Sequence, residues 1–171
     1  MLKKFFTIFF FILLNNAYAQ EKIAFIDVNY ILNNSNAGKE ANKQIEIKQK
    51  KLTSEFEKFK KKINTEKKTL SNQKNVISKE EYGKKLMDLE KEIQEYNSKI
   101  SKKNNELLNY KTKSKTEFTK NLKPILAEYS KENSISMILR KENLLIGKTE
   151  LDVTEGILEL FNKKVKKLSL N

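Results

Sequence analysis

Three features of this 171-residue chain have the residue types that chemistry or recognition needs. Ser71-Asn72-Gln73-Lys74 carries the Ser-x-x-Lys spacing with which some acyl-transfer enzymes set an amine beside a nucleophilic hydroxyl. Asp27, at the end of an apolar run, offers a carboxylate that could serve as a base. The third feature is a dense population of lysines. Neither of the first two assembles a mechanism. The Ser-x-x-Lys run falls at an exposed turn, in a chain so rich in both residues that chance accounts for it. Asp27 has no second catalytic partner, and a strand-end Asp more often satisfies nearby amides. With no histidine the usual neutral-pH base and metal ligand is missing, and with no cysteine there is neither a disulfide framework nor thiol chemistry. Gly38, Gly83, Gly147 and Gly156 are too scattered to cradle a phosphate. The expectation is therefore a protein without catalytic, cofactor-binding or metal-binding residues.

The lysines are distributed unevenly. Residues 39–123 hold 24 Lys against 13 acidic residues, an excess of 11 positive charges, whereas residues 20–38 and 124–171 together hold 9 basic and 9 acidic residues. A charged helix face is usually just a solvated face. Confining the whole excess to one segment is more than solubility requires, and it favours an anionic partner.

That segment has a simple plan. Ile45, Leu52, Phe56, Phe59, Ile63 and Leu70 form a first apolar series. Tyr82, Leu86, Leu89, Ile93, Tyr96, Ile100, Leu107, Tyr110, Phe118, Leu122, Ile125 and Tyr129 form a second. Steps of 3, 4 and 7 place each series on one stripe of a helix, so the two limbs should fold back as an antiparallel coiled coil. The first limb would reach roughly 50 Å at ~1.5 Å per residue. The polar run 71–75 marks the tip, placed at 71–77, and Ser78 with Glu81 has the spacing of a capping box, with Ile77 and Tyr82 as a hydrophobic staple. Folding near residue 76 pairs Ile63 with Leu89, Phe59 with Ile93, Phe56 with Tyr96, Leu52 with Ile100 and Ile45 with Leu107. Gln49 and Glu66 interrupt the seam and imply a flexible arm.

The remainder reads as a base. Lys22–Val28 is a short buried strand, a brief helix follows through Tyr30, Ile31 and Leu32, and Ser35 caps the first long helix. Pro124 predicts a bend or a new helix start. Ile135–Arg140 and Asn143–Lys148 read as two strands around Lys141-Glu142, and Asp152 with Glu155 opens a last helix running through Leu168. So small a unit with exposed strand edges is marginal alone, so it should associate with further copies.

At the amino end, Lys3 and Lys4 precede a ten-residue run from Phe5 to Leu14, then the small-x-small site Ala17-Tyr18-Ala19. This predicts a secretory signal over 1–19, cleaved before Gln20. The run is half the ~20 residues a membrane anchor needs. Basic helices with interleaved aromatics can bind nucleic acid, but an exported protein argues against nucleic acid and for anionic lipid headgroups or acidic unfolded polypeptides.

The order of parts, with Lys22-Ile-Ala-Phe-Ile-Asp-Val-Asn29, Ser35-Asn-Ala-Gly-Lys39 and Leu151-Asp-Val-Thr-Glu-Gly-Ile-Leu158, resembles the Skp/OmpH family of periplasmic chaperones. The resemblance spans the whole mature chain. It implies an α+β, predominantly helical fold: a long antiparallel coiled-coil hairpin projecting from a small β-sheet oligomerisation body. It also implies a periplasmic homotrimer with ATP-independent holdase activity toward unfolded outer-membrane β-barrel proteins. Some members are linked to lipopolysaccharide. Candidate client contacts are Lys60, Lys61, Lys62, Lys67, Lys68, Lys84 and Lys85, with the off-seam apolar residues Ile47, Met87 and Leu108. The alternative is an envelope-tethering protein whose arms bind lipopolysaccharide or anionic lipid and protect no client.

Overall fold

The computed structural model describes residues 21–170; the signal-peptide reading lies outside them. The chain runs β1 (Lys22–Ile26), α1 (Val28–Asn34), α2 (Asn36–Gln73), α3 (Lys79–Glu132), β2 (Ile135–Arg140) and α4 (Thr154–Lys164), with 3-10 turns at Lys141–Asn143 and Thr149–Leu151. Long helices α2 and α3 lie against each other as the expected hairpin, and the remaining elements gather at its root.

Side-chain caps set the first three helix starts. Asp27 caps α1, its carboxylate accepting from the Tyr30 amide at 2.8 Å, so this carboxylate serves the backbone. Ser35 ends α1 and caps α2, its hydroxyl accepting from the Gly38 amide at 3.2 Å. Gly38 is required there, because a Cβ would lie 1.7 Å from the Leu32 carbonyl oxygen. Ser78 caps α3 by accepting from the Glu81 amide at 3.1 Å, while the Glu81 carboxylate turns to Lys85, also at 3.1 Å.

The body core joins Ile26, Ile31, Ile157 and Phe161 to residues of both long helices, including Ala41, Phe118 and Leu122. Phe118 and Phe161 meet at 4.9 Å between ring centroids. Thr154 ties the layers together, accepting from the Asp27 amide at 2.9 Å and donating to Asp152.

Five expectations need correction. The body sheet has two strands, and β2 pairs with β1 in parallel (Ala24 with Ile138, Phe25 with Leu139). The segment 143–148 forms no strand: a 3-10 turn occupies its start, and Leu145 and Ile146 are 106% and 92% exposed, with no surface of this chain to pack on. No new helix starts at Pro124, through which α3 runs unbroken. Leu122 and Ile125 on either side are buried, while Pro124 and Lys120, whose carbonyl loses its amide, are exposed to water. The last helix stops at Lys164, where Val165 turns extended. The tip is later than expected, since Ser71–Gln73 belong to α2.

Seam register is the fifth. Phe59, not Phe56, stacks on Tyr96, with centroids 3.5 Å apart, and Phe56 is left 44% exposed. Midpoints of the bridging pairs fall at 77 for Lys62 with Glu92 and 80 for Gln49 with Lys111, beyond the symmetric fold point at 76. The amides of Val76 and Ile77 both bond back to the Gln73 carbonyl. Helical winding thus persists past Gln73, and the first turn of α3 is spent returning.

Candidate functional site

The arm is pinned at its two ends. Near the tip, Ile63, Leu70 and Leu89 are buried, with Phe59, Tyr82 and Ile93 packed around them. At the root, the body core reaches Ala41 and Phe118. Between these anchors, no residue from 42 to 62 or from 90 to 113 is buried. Each fully buried Leu or Ile contributes about 1.5–3 kcal/mol, so the largest single apolar contributions sit at the ends, while the half-buried seam residues Leu52, Tyr96, Ile100 and Leu107 between them contribute less each.

Polar bridges span the middle as well. Lys103 on α3 pairs with Glu55 on α2, and Lys62 pairs with Glu92 across the hairpin and with Glu66 along it at 3.5 Å. Lys111 donates to Gln49 at 3.0 Å, so this seam interruption is a bridge. Lys48 lies 5.0 Å above the Tyr110 ring. The bond from Lys103 holds the Glu55 carboxyl below its ordinary value, and the bond to Glu92 raises Lys62. The Tyr96 hydroxyl is buried without a hydrogen-bond partner; burial raises its pKa, and the nearby Glu55 charge adds to that. Leu52, Leu107 and Tyr110 line a cleft of about 370 Å³ between the helices here, rimmed by Lys48, Lys51 and Lys103 and by Glu55 and Glu106.

The seven lysines separate into two groups. Lys60, Lys61, Lys67, Lys68 and Lys84 are exposed and, among the described residues, have no carboxylate within ion-pair reach. Lys62 and Lys85 brace the hairpin, Lys85 touching Glu81 and donating to Gln73 at 3.2 Å. Ile47, Met87 and Leu108 are 49%, 70% and 61% exposed, all on the sides of the helices away from the seam. Val76, 80% exposed at the tip, belongs with them but stands in a turn, where seam periodicity gives no signal. The ion pairs Glu55–Lys103 and Lys62–Glu92 likewise carry no signal in the sequence. Spacing alone does not reveal which of many lysines reaches across.

The profile of outer membrane proteins described as OmpH-like matches residues 22–161, most of the chain. The chain belongs to the OmpH-like family. A crystal structure from Caulobacter crescentus CB15, described as a candidate OmpH-like outer membrane chaperone, superposes with a TM-score of 0.78 over 90% of each chain at 14% identity. At that identity the likeness establishes the shared fold. No curated protein matches the sequence. The OmpH-like match covers β1, both limbs of the arm, β2 and most of α4, so body and arm both belong to the family pattern.

Proposed function

We propose that this OmpH-like protein is an ATP-independent holdase of the periplasm. It captures unfolded outer-membrane β-barrel precursors between basic helical arms and prevents their aggregation before membrane insertion. The observation that carries the reading is the arm surface: five exposed lysines, without carboxylate partners among the described residues, stand on the same helices as exposed Ile47, Met87 and Leu108, while the body is charge-balanced. Lysines attract acidic chains over a screening length of ~8 Å at physiological salt, and many weak apolar contacts then retain them broadly and multivalently. Release requires no nucleotide, because a client that folds into a bilayer gains more than it loses on leaving.

Three copies joined through their bodies would place three arms around a shared space. Exposed Leu145, Ile146 and Met137 on each body are suited to being covered by neighbours. Diluting a urea-unfolded outer-membrane barrel into buffer with and without the mature protein tests the holdase by light scattering. Suppression near one trimer per client supports it, and unchanged scattering rejects it.

A second reading, a tether to lipopolysaccharide or anionic membrane, is favoured by the tip. Val76 and Met87 are largely exposed there beside Lys74, Lys79 and Lys84. Binding to anionic vesicles without suppression of aggregation would select it.

A further inference from the structure

Beyond α4, residues 165–170 continue without helical structure, yet Val165 and Leu168 are only 9% and 2% exposed and belong to the body core. Leu170 packs against the same cluster. This strap crosses the root of the arm. Leu168 and Leu170 face Ala37, Ala41 and Gln44 of α2 across a cleft of about 330 Å³. Lys48 and Tyr110 line both this cleft and the mid-arm cleft, so the two adjoin along one groove between α2 and α3. The family match ends at residue 161, before the strap begins.

We propose that this groove binds extended polypeptide with apolar residues at alternate positions among acidic ones, and that residues 165–170 are a built-in occupant which such a segment displaces. The inference rests on the reading of the arm as a receptor for unfolded chains. Leu168-Ser169-Leu170 shows the pattern directly, because in extended backbone residues two apart face the same side. Charge supplies the bias. Lys163, Lys164, Lys166 and Lys167 make the end of the chain strongly basic, with no acidic residue after Glu159. Lys164 pairs with Glu128; the acidic residues lining the groove are Glu40 at the root and, further along, Glu106 and Glu55, the last of these taken by Lys103. Against an arm carrying 11 excess positive charges, apolar burial holds the strap in spite of net repulsion. An acidic segment with the same apolar spacing gains the burial and exchanges repulsion for attraction. A strap that must leave first scales the apparent affinity down to the fraction of time it is unseated.

The absence of cysteine makes the test direct, because Lys43→Cys, exposed beside the cleft, with Ser169→Cys admits one spin-label pair per subunit, read in assemblies where labelled subunits are diluted with unlabelled ones. The probe is a short synthetic peptide of alternating Leu and Glu, with its Leu/Lys counterpart as control. The Leu/Glu peptide is expected to bind and lengthen the label separation, and the Leu/Lys peptide to do neither. Loosening the strap should raise Leu/Glu affinity about tenfold for Leu168→Ala and about threefold for Leu170→Ala. Leu170 lies at the lip and is no part of the buried core, so its variant stays informative if Leu168→Ala fails to fold. Labels that keep their resting separation at peptide saturation, or unchanged affinity in Leu170→Ala, would overturn the proposal. Aggregation suppressed with the strap seated would discard the strap and leave the holdase; strap displacement without suppression would do the reverse.

Discussion

In the body, Ile31, Ile157 and Phe161 have no exposed surface, while along twenty-one consecutive residues of α2, from 42 to 62, no side chain is buried. Basic and acidic residues balance in one region, and an excess of 11 lysines is carried by the other. The body gains its stability from interlocking apolar volume, which fixes one shape. The middle of the arm has only half-buried seam residues and is also bridged by Lys103–Glu55, Lys62–Glu92 and Lys111–Gln49. Exposed and half-exposed pairs of this kind contribute about 0–1 kcal/mol each, so the arm is held together mainly at its ends. A receptor for many different extended chains is served by that division: a rigid root and a surface that imposes no fixed shape.

Substitutions should separate the regions by magnitude. The largest effect is expected for Gly38→Ala and Phe161→Ala. The first drives a methyl group into the Leu32 carbonyl, and the second empties the centre of the core. Each should cost about 3 kcal/mol or more, read as a lowered denaturant midpoint. Leu52→Ala, at the edge of the mid-arm cleft, should cost about 1 kcal/mol or less. A Leu52→Ala loss equal to that of Phe161→Ala would erase the distinction.

Acid should act through the body at Asp152. Burial pushes its pKa upward, but bonds from the Thr154 hydroxyl, Lys141 and the Thr154 amide outweigh it, so the folded value lies below the ordinary one. The stabilisation is therefore present above the unfolded carboxylate range, about pH 4, and is lost as pH falls through the folded pKa. In Asp152→Asn, stability should fall less steeply below about pH 4 than in the wild type. Parallel acid curves for the two proteins would refute this role. The smallest effect is expected at Ser134, whose φ of 52° follows the end of α3. Ser134→Gly should stabilise the body by up to about 1 kcal/mol, measured by thermal melting.

Most of the arm was legible in the sequence because its rules are local. Seam spacing gave the hairpin, and Ser35 and Ser78 gave two helix starts, since each cap bonds an amide three residues away. Off-seam Ile47, Met87 and Leu108 were found by the same periodicity. Nonlocal facts were hidden. The pairing of Phe59 with Tyr96 depends on how the turn winds past Gln73. Residues 143–148 have strand composition, but a strand also needs a neighbour. Spacing alone extends α4 into the strap, because Val165 and Leu168 continue its helical period, while the backbone at Val165 is extended. Pro124 predicts an interruption, but packing of Leu122 and Ile125 carries the helix through it.

The most direct test of the central claim is the stopped-flow rate at which the mature protein captures a urea-unfolded acidic outer-membrane barrel, measured at low and high salt. The comparison protein carries Gln at Lys60, Lys61, Lys67, Lys68 and Lys84, the five lysines without carboxylate partners. Capture by the wild type should be at least about tenfold faster at low salt than at high salt, and the substituted protein, with its assembly state unchanged, should lose most of that advantage. Equal capture rates for the two proteins at low salt would contradict the account.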